Sequence, residues 1–257
     1  MICEFAATNQ VLAIELDLKS ILSVEQLNPD NAIFDYENDQ LVLHLLLDGK
    51  PSILKFDLSQ GEVAQRAIKV SKSNEVVAKA IGCKPHYRPS VLDATAGMGR
   101  DSLIMAMLGC RVVMQERNFA IYHLLKNALT RLKENRDFKK EVSDRISLFQ
   151  NNSLSENNCI SANNCIPERS KAEDIDVIYL DPMFPERKKS ALVKKEMRLF
   201  KLIAGEDPDA DELLINSLQK NVKRVVVKRP KGAPCLANKK PSHEIVAKKF
   251  RYDVYLL

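Results

Sequence analysis

The sequence predicts an α/β fold: a mostly parallel, doubly wound sheet with an antiparallel edge, preceded by a small sheet-containing N-terminal subdomain. Three observations carry that prediction. Beyond Pro89, short apolar runs alternate with segments of helical period, the pattern of a parallel sheet covered by helices. The last two apolar runs follow one another with no helical segment between them, which predicts antiparallel pairing. Before residue 80, strand-like runs are separated by turn residues instead.

In the N-terminal part, Val11 to Leu18 and Leu41 to Leu47 read as strands, and Asp48-Gly49-Lys50-Pro51 turns the chain into Ile53 to Asp57. Ser73 is placed to cap a short helix ending near Gly82. Lys84-Pro85-His86-Tyr87-Arg88-Pro89 breaks the periodicity, so the chain divides into a subdomain of residues 1–84 and a larger domain of residues 85–257.

Val91-Leu92-Asp93 opens the larger domain as a buried strand, and Asp101 to Leu108 is a helix closed by Gly109. Arg111 to Glu116 is the second strand. Ile121, Leu124, Leu125, Ala128, Leu129 and Leu132 then keep the spacing of a helix with one buried face. Ile146 to Gln150 and Val177 to Leu180 are the third and fourth strands, separated by an Asn- and Ser-rich loop from Asn151 to Asp174. Helices are expected over about 190–203 and 208–220, then a strand from Arg224 to Lys228 and the closing pair Ile245 to Lys248 and Tyr252 to Leu257.

Composition narrows the class. A chain of 257 residues can bury a full core, and no apolar run approaches the ~20 residues of a membrane span. The N-terminus lacks a basic stretch followed by an apolar one, so no secretory signal is expected. Six cysteines form no CxxC pair and four histidines are dispersed; this predicts no metal site, and reduced thiols in the cytoplasm. The net charge is only +5, but residues 186–201 carry +5 and residues 222–251 carry +9, leaving −9 for the remainder. Such basic segments are either solvated faces or the footprint of a polyanion.

Two strand-to-loop motifs carry chemistry. In Asp93-Ala94-Thr95-Ala96-Gly97-Met98-Gly99, Gly97 and Gly99 permit a tight turn and close approach of a ligand to backbone. Ser102 stands where a dinucleotide fingerprint has its third glycine, and no Gly-Lys-Ser/Thr follows. With no pyrophosphate to neutralise, Asp93 and Asp101 suit a cationic, amino-acid-bearing cofactor such as S-adenosylmethionine. Glu116, 23 residues after Asp93, can accept hydrogen bonds from both ribose hydroxyls. Arg100, Arg117, Asn152 and Ser153 are neighbouring candidates.

The second motif is Asp181-Pro182-Met183-Phe184-Pro185. An exocyclic amine on a flat base is a poor nucleophile because its lone pair is delocalised into the ring. Accepting its two N–H bonds on the Asp181 carboxylate and the Pro182 carbonyl would orient that lone pair toward a methyl donor. Phe184 would stack on the base. Asp181, Pro182 and Phe184 are therefore the expected catalytic residues, with Asp181 also close to the cofactor.

These blocks, together with Glu116-Arg117-Asn118, Lys188-Lys189-Ser190-Ala191-Leu192 and Val227-Lys228-Arg229-Pro230, resemble the RsmJ-type ribosomal RNA small-subunit guanine-N2-methyltransferases over roughly residues 73–257. The resemblance implies a Rossmann-like S-adenosylmethionine-dependent methyltransferase fold and transfer of a methyl group to the N2 amine of one guanosine in 16S rRNA, on the free RNA or the small subunit. It also implies cofactor contacts at Arg100, Asp101, Glu116, Arg117, Asn152, Ser153 and Asp181. Family members tend to carry an acid where Asn152 stands. Under this reading Arg187, Lys188, Lys189, Lys194, Lys195, Lys228, Arg229 and Lys231 are candidate RNA contacts. The residues themselves also admit an adenine-N6 methyltransferase on RNA or DNA, or a methyltransferase-like RNA-binding protein without catalysis.

Overall fold

The computed structural model describes residues 32–70, 75–136, 138, 140–150, 175–184 and 195–257. The expected strand at Val11 to Leu18, the Ser73 cap and the loop from Asn151 to Asp174 lie outside them. Among the described residues no helix is long and apolar enough to cross a membrane.

The main sheet has seven strands: β4 (Ser90–Asp93), β5 (Arg111–Glu116), β6 (Ile146–Gln150), β7 (Val177–Leu180), β8 (Arg224–Pro230), β9 (His243–Val246) and β10 (Phe250–Leu256). Their order across the sheet is β6-β5-β4-β7-β8-β10-β9. The first five pair in parallel, whereas β10 lies antiparallel to both β8 and β9. The antiparallel edge is as expected, and β10 occupies the position next to β8. Strands β4 and β7 are buried at every residue, which is why they read as unbroken apolar runs. The chain leaves β4 toward β5 and β6 and later returns to β7 and β8 on its other side. That reversal opens a crevice at the carboxyl ends of the central strands.

A second, antiparallel sheet is formed by β1 (Ala32–Glu37), β2 (Gln40–Leu47) and β3 (Lys50–Lys55). Sequence reading missed β1 because Ile33 on its outer face and Tyr36 at the open end of its inner face are apolar yet 44% and 41% exposed, which blurs the alternation. Its turn uses Asn38 and Asp39, both at positive φ, a conformation these side chains tolerate. Helices α1 (Gly61–Ile68) and α2 (Val76–Ala80) follow, and Glu75 stands at the N-cap of α2.

Helix α3 (Arg100–Met107) connects β4 to β5, and α4 (Phe119–Glu134) and the short α5 (Lys140–Asp144) connect β5 to β6. All six apolar positions expected on the inner face of α4 are buried. After β7 come α6 (Lys195–Ala204) and α7 (Ala210–Leu218); α1 and α5 had no sequence signal strong enough to announce them. The apolar core runs without a break from Phe34 and Leu43 to Leu103, Val112 and Tyr179. Across the same seam Leu41 donates its backbone N–H to Asn127 at 3.0 Å, and Arg131 pairs with Asp57 at 2.8 Å. The small sheet is thus packed on α4, and α1 reaches the edge of the crevice.

Candidate active site

The glycine turn after β4 is built by its own acids. Asp93 is 2% exposed; its carboxylate accepts from Thr95 N at 3.2 Å and from Ser102 Oγ at 2.5 Å. Ser102, the residue that broke the dinucleotide pattern, therefore anchors the strand end. Gly97 has φ +53°, and a Cβ there would lie 3.2 Å from the Phe200 ring. Gly99 has φ +69°, with Leu125 filling the space its side chain would need. Gly97 lines the crevice, whereas Gly99 turns its Cβ side to Leu125 of α4. Glu116 is 8% exposed and already accepts from Gly97 N at 2.9 Å and Asn118 N at 2.8 Å. It braces the turn and α4 together, an organising role that spacing alone did not reveal.

On the other side of the crevice the loop after β7 is pinned from three directions. Thr95 Oγ1 accepts from Asp181 N at 2.6 Å, Asp207 Oδ2 accepts from Met183 N at 2.6 Å, and Lys228 Nζ donates to Asp181 Oδ2 at 2.8 Å. Asp207 also pairs with Arg117, whose other nitrogen reaches Asp209 at 2.5 Å. Pro182 is buried. The Arg229 guanidinium lies 3.9 Å from the centroid of the Phe184 ring, so one face of that ring is taken. Asp181 and Met183 line the crevice, whereas Pro182 and Phe184 do not.

The crevice encloses about 310 Å³ and its walls carry six acids against four bases. Burial pushes the Asp93 and Glu116 carboxyls up to about 7, against the hydrogen bonds they accept. An added positive charge would relieve both, so the donor set fits a cationic ligand. Gly97 leaves backbone open to it, and Met197 and Phe200 of α6 offer an apolar wall. These are the requirements of S-adenosylmethionine, and Asp101, Glu116 and Asp181 are among the acids that line the crevice.

Seven expected cofactor residues line this one crevice: Asp93, Gly97, Arg100, Asp101, Glu116, Arg117 and Asp181. Asn152 and Ser153 lie outside the described residues. Arg100 is paired with Glu196 at 2.8 Å. Sequence reading passed over Thr95, Asp207 and Arg66. Thr95 lay inside the motif, and Asp207 in Asp207-Pro208-Asp209 marked a turn. Arg66 of α1 carried no signal, yet it lines the crevice.

The basic segment 222–251 is dispersed by the fold rather than gathered at the site. Lys223 precedes β8 and Arg224 starts it, at the strand's far end, where Lys223 pairs with Asp176 at 2.6 Å and Arg224 donates to Ala80 O. Arg229 is 4% exposed and donates to Pro234 O, and Arg251 is paired with Asp253 at 2.6 Å. Lys228 bridges two acids inside the crevice. Lys228 and Arg229 are therefore corrected from surface RNA contacts to interior residues. Lys195 and Lys231 are exposed; Arg187, Lys188, Lys189 and Lys194 lie outside the described residues.

A sheet of this order, with an acid-lined crevice for a cationic cofactor at its carboxyl edge, defines an S-adenosylmethionine-dependent methyltransferase. A family model described as putative SAM-dependent methyltransferase matches residues 18–257, extending the likeness well into the N-terminal part. A SAM-dependent methyltransferase from Neisseria gonorrhoeae has the same fold in its crystal structure, with TM-score 0.67 and 28% identity over 98% of this chain and 93% of that one. The ribosomal RNA small subunit methyltransferase J of Hahella chejuensis is 47% identical over 208 residues, 80% of this chain and 73% of that protein. That of Shewanella loihica is 42% identical over 229 residues, 88% and 84% of the two chains. The chain belongs to the ribosomal RNA small subunit methyltransferase J family within the SAM-dependent methyltransferases.

Proposed function

We propose that this protein methylates the exocyclic N2 amine of one guanosine in 16S rRNA, acting in the cytoplasm on the RNA of the small ribosomal subunit. The observation that carries the reading is the placement of Asp181 in the cofactor crevice, with its backbone tied by Thr95 to the glycine turn. One strand end thus meets both reactants. The likeness to ribosomal RNA small subunit methyltransferases supports an RNA substrate, and the Asp-Pro-Met-Phe block supports guanine N2.

S-adenosylmethionine, when bound, supplies a methyl group on a sulfonium, and the carbon–sulfur electron pair stays on sulfur as the nitrogen–carbon bond forms. The chain's residues supply the rest. Asp101 and Glu116 hold the donor, Asp181 and the Pro182 carbonyl orient the amine, and the proton released from nitrogen passes to the Asp181 carboxylate and on to solvent. Phe184, packed on the core and covered by Arg229, would stack on a base only after the ring is uncovered. Outside the crevice, Lys231 and the turn bearing Lys248 and Lys249 sit at the carboxyl edge, since Phe250 pairs with Pro230. With Lys195 these exposed lysines meet the phosphates.

The test uses labelled S-adenosylmethionine and small subunits from a strain lacking this protein. Label is expected at N2 of a single guanosine; label on adenine N6, or only on DNA or protein, would sink the reading. Asp181→Ala is expected to abolish transfer while leaving cofactor affinity within a few-fold. A large loss of affinity with unchanged turnover at saturating cofactor would contradict the role of Asp181.

A further inference from the structure

Among the described residues, Lys228 is the one cation that touches acids from both sides of the crevice. Its Nζ lies 2.7 Å from Asp101 Oδ2 and 2.8 Å from Asp181 Oδ2. The sheet register explains the placement. Leu180 pairs with Val227 and Tyr252 with Lys228, so Lys228 stands beside Asp181 on one flank and Tyr252 on the other. Asp101 is itself fixed, accepting from Tyr179 Oη at 2.7 Å and lying 3.8 Å from Arg66. The ammonium also lies 5.4 Å from the Phe250 ring centroid. Its side chain is 23% exposed, too enclosed for a flexible grip on a phosphate.

The geometry points to Lys228 as a positioning residue for the methyl transfer: its ammonium keeps the Asp181 carboxylate ionised and oriented toward the acceptor amine, while Asp101 and Tyr179 hold the ammonium in place. This rests on the proposed transfer to a guanosine amine. Lys228 occupies Oδ2 of Asp181, and Oδ1 has no hydrogen bond among the described residues, so it remains for the incoming N–H. A carboxylate is needed there because a protonated acid cannot accept both an N–H bond and the departing proton.

The surroundings make that cation necessary. Burial raises the Asp181 carboxyl, Lys228 opposes the rise, and Asp101 and Asp207 add to it. Burial by itself would lower the Lys228 ammonium, but Asp181 and Asp101 outweigh it and raise it. Burial would likewise raise Asp101, and Lys228, Tyr179 and Arg66 together bring it below the usual carboxylate range. Tyr252, raised to a value that leaves it neutral, supplies no charge to replace Lys228. Removing the ammonium leaves Asp101 with Arg66 at 3.8 Å and takes from Asp181 the cation paired with it among the described residues.

The test compares wild-type protein with Lys228→Met, Lys228→Gln and Lys228→Arg from pH 6 to 9. Turnover is measured on small subunits from cells lacking the protein, cofactor affinity by calorimetry, and folding by thermal unfolding. In Lys228→Met, turnover at pH 7 is expected to fall about 10- to 100-fold, no more than the lower end of what direct proton-transfer groups contribute, as befits a positioning residue. Its acid limb should move up by about one pH unit or more, as loss of an adjacent opposite charge requires, so the deficit shrinks toward pH 9. KM for the subunit should stay within a few-fold. Lys228→Arg, which keeps the charge, should restore the wild-type limb. Lys228→Gln keeps hydrogen-bonding capacity without charge and must show the same shift, which decides the matter if the methionine variant fails to fold. An unshifted limb with turnover lowered equally at every pH overturns the proposal. So does unchanged turnover with a raised subunit KM, the signature of a phosphate contact. Wild-type protein that methylates no guanosine overturns both this and the proposed function; a failure confined to the variants overturns this one alone.

Discussion

Thr95 joins the two halves of the site through a single hydroxyl. It follows the strand end at Asp93, and its Oγ1 receives the backbone N–H of Asp181 at 2.6 Å. Valine at this position has the same shape but no acceptor, so the Asp181 N–H is left unpaired at a cost of about 1–3 kcal/mol. Thr95→Val is expected to lose that much stability in urea unfolding and to lose more turnover than cofactor affinity. Thr95→Ser, which keeps the hydroxyl, should recover both. Gly97 is constrained differently, by φ +53° and by Phe200 in front of it. Gly97→Ala takes on about 1–2 kcal/mol of backbone strain and narrows the crevice. Calorimetry should record weaker cofactor binding by about tenfold or more, and unchanged affinity would show that the backbone approach at Gly97 is unnecessary. Gly97 and Asp181 were legible as residues because few side chains suit those positions. Thr95 and Asp207 were not, since a threonine or an aspartate in a loop acquires its meaning from the N–H it meets across the fold.

The β9–β10 hairpin brings Lys248 and Lys249 to the carboxyl edge of the sheet, while Lys239 and Lys240 lie along its flank. The position of the latter follows from the Tyr255 hydroxyl, which donates to the Lys239 carbonyl at 3.0 Å, and from the pairing of Tyr255 with Val225 near the start of β8. The two pairs are equally basic in sequence but differ in distance from the site. Charge reversal at Lys248 and Lys249 is expected to weaken subunit binding and flatten its salt dependence, because phosphate contacts release counterions. The same reversal at Lys239 and Lys240 should do little. Filter binding across a salt series checks this, and equal effects from both pairs would refute the assignment. Strands β4 and β7 were readable because burial on both faces leaves only apolar residues. Strand β1 was not, because apolar Ile33 stands on its outer face and blurs the alternation.

At the scale of the whole molecule, the crevice stores charge in an unfavourable form. The Asp93 and Glu116 carboxyls, pushed up to about 7 by burial, hold protons that the unfolded chain releases near pH 4. The folded state therefore binds more protons between pH 4 and 7, and its stability falls as pH rises through that window. Ligand-free protein is expected to show a declining melting temperature from pH 5 to 8, levelling above pH 8 for these two groups. A sulfonium nearby favours their ionised forms, so affinity for S-adenosylmethionine should rise over pH 6 to 8. The neutral thioether product should show a weaker dependence. Calorimetry in two buffers of different ionisation enthalpy measures the protons released, and identical pH dependences for the two ligands would contradict this electrostatic account.

The sequence by itself determined the parallel core, the glycine turn, the acids at the ends of β4, β5 and β7, and the class of chemistry they permit. Those features are local: a strand buried on both faces, a turn requiring positive φ and an acid beside a proline leave marks within a few residues. Only the tertiary structure decided which charges face one another. It moved Lys228 from the presumed RNA surface to a bridge between Asp101 and Asp181, buried Arg229 against Phe184, and brought Arg66 from the small N-terminal part into the crevice. The physical reason is that an ion pair depends on distance in space, and the partners here are 35 to 127 residues apart in the chain.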